Sequence, residues 1–429
     1  MKNLAYALLL LTLCACGATT PAEPPAAATT QTGGDAALEQ LIAENVAIAA
    51  AQYERTLAAN PGLDSVPQTM KDGRLVTDRI QSWISGFWAG DLWMMYELTG
   101  DEKWRAAATM YTEALDTIQY YTRDHDVGFM INCSFGNALR LTGDRRYEKQ
   151  MVNASKSLAT RFNPTVGCFS SWPTFSPWGS DRQYDYAVII DNMMNLELLY
   201  EGTRISGDSS FARLADVHAH TTMEHHYRPD YSSYHVVCYD PDNGEVLARH
   251  TAQGYADESA WSRGQAWGLY GYVMAHRQTG RPEYLAQARG IADYLTTHPL
   301  LPADQVPRWD YHAGQPDMTP DYPYEPERMN EQRDVSAATI TASALLELSA
   351  MVPDGQRYYD FARRTIENIS ASPDYRATAE ETNYFLLKQS TGSIPHSTIE
   401  PTWGQIGQPL NYADYYFLES LVRLRRLAS

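Results

Sequence analysis

Apolar positions recur along the chain with helical spacing, in stretches that end alike. Thr99-Gly100 leads to Trp104, Thr142-Gly143 to Tyr147, Ser206-Gly207 to Phe211 and Thr279-Gly280 to Tyr284, with a looser fifth case from Gly355 to Tyr359. Glycine is expected just past a helix C-terminus, where the backbone turns left-handed. The aromatic after it should pack back on the helix just left, and a second amphipathic stretch follows. A unit repeated in this way predicts an array of helical hairpins. Counting back sixteen or seventeen residues from the first four glycines reaches Trp83, Asp126, Asp191 and Arg263. Asp334 lies 21 before Gly355, and a last apolar stretch opens near Tyr412-Ala413-Asp414. The pattern predicts six helices, near residues 83–98, 126–141, 191–205, 263–278, 334–349 and 412–427, each ~25 Å long.

The bodies of these helices are apolar or small, as in IIDNMMNLELLY and SAATITASALLELS, which suits elements covered on most sides. Placed as an inner ring, with the helices after the turns outside them, they make an all-α (α/α)6 toroid. One mouth then collects the polar N-termini and the other the glycine turns. Residues 35–429 form a single domain on this reading, although the length alone would suggest about three. One segment departs from helical spacing. Tyr234–Asp240 and Glu245–His250 alternate on either side of Asn243-Gly244, which predicts a small β-hairpin near the polar mouth. Asp240, Asp242 and Asn243 hint at a calcium loop, but the spacing and the missing terminal acid favour a turn.

The first residues read as an address. Met1-Lys2-Asn3 is a short basic start and Leu4–Leu13 an apolar run too short to span a bilayer. Residues 1–16 are similar to a bacterial lipoprotein signal peptide ending at Cys16, so the protein is expected to be exported and held at the cell envelope by a lipid anchor. Residues 17–34 are rich in Pro, Ala and Thr and should form a flexible tether. Beyond them, Cys133, Cys168 and Cys238 are too few and too irregular for a disulfide framework, so buried thiols are expected. A net charge of −18 argues against nucleic acid as a partner. The 29 Tyr and 10 Trp exceed what a core needs and suit a ligand cleft.

The predicted polar mouth gathers Asp126, Asp191, Arg263, several tryptophans and histidines. Asp191 lies among Val188, Ile189, Ile190, Met193 and Met194, and desolvation there raises a carboxyl pKa. A second carboxylate nearby raises it further, so that one of the pair stays protonated near neutrality, as general acid/base work on a sugar requires. The simpler alternative is that each Asp merely caps its helix. Arg263 is a cation at a helix N-terminus, where the macrodipole favours anions. A bound carboxylate would resolve the conflict, as would an ion pair with Asp257 or Glu258. Trp83, Phe87, Trp88, Trp261 and Trp267 are candidates to stack on sugar faces, with core packing the alternative for each. His218, His220, His225 and His226 lack the spacing of metal ligands, and no metal or other cofactor is expected.

Several blocks carry a resemblance. Ser85–Trp93 (SGFWAGDLW), His125–Phe129 (HDVGF), Ile189–Leu196 (IIDNMMNL), Ser262–Gly271 (SRGQAWGLYG), Arg333–Ala338 (RDVSAA) and Tyr412–Glu419 (YADYYFLE) are similar to the unsaturated glucuronyl hydrolases, glycoside hydrolase family 88, over roughly residues 80 to 425. Members of that family are (α/α)6 barrels. The resemblance implies removal of a 4,5-unsaturated uronic acid from the non-reducing end of lyase-generated oligosaccharides, by hydration of the C4=C5 vinyl ether. It further implies Asp191 as general acid/base, Asp126 as the second aspartate, and His235, Gln253, Arg263 and Trp267 as substrate-binding residues, with Trp83 a stacking platform. Arg263 then becomes the candidate for the uronate carboxylate. The neighbouring unsaturated rhamnogalacturonyl hydrolases share barrel and chemistry, and a non-catalytic oligosaccharide-binding lipoprotein is the alternative from outside catalysis. The run Trp403–Gln408 departs from the family pattern as an insertion.

Overall fold

The computed structural model describes residues 31–399 and 405–429. The signal segment ending at Cys16 and most of the expected tether fall outside the described residues, as do Trp403 and Gly404 of the insertion. Twelve long helices among the described residues form two concentric rings. In chain order they are α1 (Gln31–Ala59), α2 (Ser85–Thr99), α3 (Glu102–Ala114), α4 (Val127–Ile131, Asn132–Gly136 and Asn137–Thr142 end to end), α5 (Glu148–Ala159), α6 (Asn192–Ser206), α7 (Ser209–His225), α8 (Ser262–Thr279), α9 (Pro282–Thr297), α10 (Val335–Ser349), α11 (Gln356–Ala371) and α12 (Asn411–Ala428). Each even-numbered helix packs on the next, and α12 packs on α2, so the inner ring closes. Each odd-numbered helix lies outside its inner partner, with α1 against α12. The fold is the expected (α/α)6 toroid.

Burial explains the composition. Every residue of α8 from Ser262 to Ala275 is buried, and nearly all of α10 is, hence their runs of Gly, Ala, Ser and Thr between larger side chains. Outer helices bury one face only. In α11 the buried residues Tyr358, Ala362, Thr365, Ile366 and Ile369 form a stripe at helical spacing. The four strict Gly positions, Gly100, Gly143, Gly207 and Gly280, end inner helices at φ of 68°, 66°, 77° and 69°. The aromatics fold back as expected: Phe211 lies over Gly202, Tyr147 on Phe135 and Tyr284 on Tyr272. The fifth repeat is different. Helix α10 ends on Ala350, Gly355 has a right-handed φ of −63°, and Tyr358 is the fully buried aromatic while Tyr359 stays half-buried.

Two elements depart from expectation. Helix α1 supplies the sixth outer position and reaches back to Gln31, into the segment expected as tether. Helix α4 is interrupted by a π-helical turn at Asn132–Gly136. Side chains take up carbonyls displaced by that turn: the Ser134 hydroxyl donates to Met130 O at 2.5 Å, and Asn137 Nδ2 to Cys133 O at 2.9 Å.

At the mouth holding the N-termini lie short strands: β1 (Ser65–Lys71), β2 (Arg74–Arg79), β3 (Ala187–Ile189), β4 (Val236–Tyr239), β5 (Val246–His250), β6 (Ser390–Thr391) and β7 (Ile406–Gln408). The expected hairpin is β4–β5, and β3 pairs antiparallel with β4 to make a three-stranded sheet. Its loop is longer than a two-residue turn. The Asp240 N–H donates to Glu245 O, and only Gly244 takes positive φ, at 80°. The opposite mouth is lined by charge. Arg277 bonds Glu347 at 2.8 Å and also Glu197, while Arg423 bonds Glu347 at 2.9 Å and Glu419 at 3.4 Å. Cys133, Cys168 and Cys238 are free and buried.

The closeness of neighbouring inner helices rests on glycine. A Cβ on Gly86 in α2 would stand 2.4 Å from Met130 O and 2.5 Å from Phe129 O, both backbone atoms of α4. Neither can yield without moving the helix. Gly86→Ala is expected to lower the unfolding free energy by about 1–3 kcal/mol, read as a lowered urea midpoint.

Candidate active site

Aspartate stands at the start of inner and outer helices alike, and backbone conformation decides what each one does. Asp101, Asp144, Asp208 and Asp334 have ψ near 100° and accept from the backbone N–H two residues on, as capping residues do. Asp126 and Asp191 already have near-helical angles, φ −73° with ψ 7° and φ −54° with ψ −28°, and neither side chain caps its helix. Both are therefore free to face the mouth.

Strand β3 delivers the chain directly into Asp191. The Ile190 N–H donates to His235 O at 3.0 Å, so the pairing that aligns β3 with β4 also sets His235 beside the acid. Asp191 has 13% of its side-chain surface exposed, and its Oδ2 accepts no hydrogen bond. Burial, then the negative charge of Asp126, push its pKa up to about 7. It is thus an acid able both to give and to take a proton near neutrality. The Asp126 carboxyl is also raised, first by burial and then by Asp124, against a hydrogen bond from Asn195 Nδ2 to Oδ1 at 3.0 Å.

His235 is locked in one tautomer. Its Nδ1 accepts from the Ala252 and Gln253 N–H groups, both at 3.1 Å, so the ring proton sits on Nε2. That nitrogen lies 3.8 Å from Asp191 Oδ2, and neither atom has another partner. Burial holds the ring neutral, its pKa well below the usual value, and the ring lies 4.4 Å from that of Trp261. The Gln253 side chain, half-buried at the rim, donates to Gly392 O at 3.2 Å. Trp83 is half-buried at the head of α2, its ring 4.9 Å from Tyr412 and 5.9 Å from both Phe87 and Phe129, which makes an aromatic wall beside the acids.

Two expected ligands are placed differently. Trp267 has no exposed surface and packs beneath Phe129 and Tyr416 as the floor of the site. Arg263 is 1% exposed and spent internally. Its Nη1 donates to Asp334 Oδ2 at 2.8 Å and to Thr391 O at 2.6 Å, and its Nη2 bonds Gly392 O. The cation at this helix N-terminus is therefore answered by Asp334. Asp257 bonds His250, and Glu258 reaches Arg228. Of the other expected stacking residues, Phe87 and Trp88 are buried in the core.

The four histidines from His218 to His226 do not converge: His226 Nε2 meets Val188 O, His225 Nδ1 meets Tyr239 OH, and His220 Nδ1 meets Asp216 O. Among the described residues, Asp124, His125 and Asp126 bring metal-type donor atoms within 4.8 Å of one another. That group belongs to the acid pair's own surroundings. His125 is fully buried beside both carboxylates, and burial lowers its pKa. Sequence reasoning gave no role to His125 alone, to Asp124 or to Asn195. Asn195 had a signal, lying four residues after Asp191 on the same helix face.

An acid poised near neutrality beside a second carboxylate, walled by aromatics, is the equipment of a glycoside hydrolase. No family model matches the chain. It is 38% identical over 392 residues to an unsaturated glucuronyl hydrolase of Formosa agariphila, covering 91% of this chain and 92% of that protein. It is 32% identical to an unsaturated glucuronyl hydrolase of a Bacillus species, covering 80% and 86%. The crystal structure of an unsaturated glucuronyl hydrolase described as specific for heparin matches with a TM-score of 0.81 at 40% identity, covering 92% of this chain and 98% of that one. The chain belongs to the unsaturated glucuronyl hydrolases.

Removing one partner of the buried Arg263–Asp334 pair strands a charge without solvent. Arg263→Ala is expected to cost about 3–5 kcal/mol of unfolding free energy, measured by equilibrium urea denaturation. A variant as stable as the parent would mean that the pair does not hold the site.

Proposed function

We propose that Asp191 is the general acid and then the general base in hydrolysis of an oligosaccharide ending in a 4,5-unsaturated uronic acid. The observation that carries this reading is the unpartnered Asp191 Oδ2, buried at the mouth and facing the Nε2–H of His235. The protonated carboxyl gives its proton to C4 of the vinyl ether. The C4=C5 electron pair forms the new C4–H bond and C5 becomes oxocarbenium-like, a charge that the Asp126 carboxylate stabilises. The Asp191 carboxylate then takes a proton from water, whose oxygen bonds to C5. The hemiketal opens at the C5–O5 bond, and C1, now a hemiacetal, expels the rest of the oligosaccharide.

Trp83 is the stacking platform on this reading, with the His235 Nε2–H and the Gln253 amide as hydrogen-bonding ligands at the rim. Arg263 and Trp267 support these residues from behind. The naming of heparin for a relative at 40% identity makes unsaturated heparin fragments the first substrates to assay. The N-terminal segment supports export and lipid anchoring through Cys16, which mass spectrometry of the mature membrane-associated protein would test.

Asp191→Asn should abolish turnover with the circular dichroism spectrum unchanged, because an amide of the same shape neither donates to C4 nor accepts from water. More than a few percent residual activity would remove Asp191 from the role.

Run in isotopically labelled water, the reaction should place oxygen-18 on C5 and deuterium on C4 of the uronate-derived product, as the double-bond ultraviolet absorbance disappears. Label at C1, or cleavage of the saturated sugar, would indicate conventional glycoside hydrolysis.

A further inference from the structure

Asn195 stands one turn below Asp191 on α6 and is completely buried. Its Oδ1 accepts the Phe129 N–H at 2.9 Å, and its Nδ2 donates to Asp126 Oδ1 at 3.0 Å. The Phe129 N–H can be met only by an acceptor, so the amide's oxygen must face α4 and its NH2 must face the carboxylate. The contact needs Gly128. A Cβ there would lie 2.5 Å from both the Cα and the Oδ1 of Asn195, so the two helices meet at this point only because residue 128 has no side chain.

We propose that Asn195 is a positioning residue for the acid pair, bolting Asp126 to the helix that carries Asp191 and favouring the charged form of Asp126 beside it. This rests on the reading of Asp191 as the proton donor. Asp126 is uncapped, and its remaining neighbours are the Asp124 carboxylate and His125 on its own segment and the Arg161 guanidinium beyond α5. Asp191 is faced by Asp126 and His125, by His235 from β4 and by Arg263 from α8. Among these, Asn195 donates a direct hydrogen bond to the Asp126 carboxylate, and such a bond favours the charged form. The amide therefore opposes the burial and the Asp124 charge that would protonate Asp126. The charge it favours is the one that, after burial, raises Asp191.

The sign of the effect follows. Asp191 must be protonated to donate, so activity is present below its pKa of about 7 and is lost as pH rises through it. Without the amide Asp126 takes up a proton more readily, its charge no longer holds Asp191 up, and the descending limb of the pH profile moves to lower pH.

The test compares full pH profiles of kcat and kcat/KM for the parent, Asn195→Ala and Asn195→Ser on one unsaturated disaccharide. Serine retains a hydroxyl to meet the Phe129 N–H but is too short to reach Asp126, and it covers the case in which alanine does not fold. The expected result is a kcat lower by on the order of 10- to 100-fold, a KM little changed, and a descending limb at lower pH. A folded variant whose limb coincides with that of the parent overturns the proposal and leaves the role of Asp191 standing. An active Asp191→Asn enzyme overturns the underlying reading instead.

Discussion

The buried ion pair of Arg263 and Asp334 joins the parts of the mouth that come from distant stretches of sequence. Asp334 caps α10 with one oxygen and holds the guanidinium of α8 with the other. The guanidinium then holds the carbonyls of Thr391 and Gly392, and Gly392 O also receives the Gln253 amide. The backbone N–H of Gln253 meets His235 Nδ1, which aims the opposite nitrogen at Asp191. Every link in this chain is a hydrogen bond except the last, a gap of 3.8 Å between two atoms with no other partner.

The same residue type caps a helix or stands apart from it according to a rotation about one backbone bond. Aspartates with extended ψ turn their carboxylates back onto the helix they begin, where its N–H groups donate to them. Asp126 and Asp191 enter their helices already wound, so their carboxylates remain apart from those donors and burial acts on them directly. What distinguishes the two acids is thus set by strand β3 and the segment before α4, which deliver the chain at a different angle.

The inner ring was legible because its signals are local. A glycine in left-handed conformation and a run of apolar and small residues are properties of a few neighbouring positions, so the six inner helices were placed within about two residues. The desolvation of Asp191 was legible too, since its apolar neighbours in sequence are buried around it in space. The partner of Arg263 was not legible because it lies 71 residues away and no pattern near position 263 points to it. The packing of Trp267 was not legible because it depends on Phe129 and Tyr416, from two other helices. The hairpin of β1 and β2 is a different case. Asp72 and Gly73, both at positive φ, form a tight turn between strands, and that signal was present in the sequence but went unread.

The far mouth has a consequence for traffic through the molecule. Beneath the acids the ring is filled first by Phe87, Phe129, Trp267 and Tyr416, then by the interlocked arginines and glutamates where the inner helices end. The axis is a blind well. A polymer cannot be threaded through it, so only a chain terminus can reach the bottom. Both fragments must leave by the way the substrate came in. One cut removes the unsaturated end that the reaction requires, so a further cut waits until another enzyme creates a fresh unsaturated terminus.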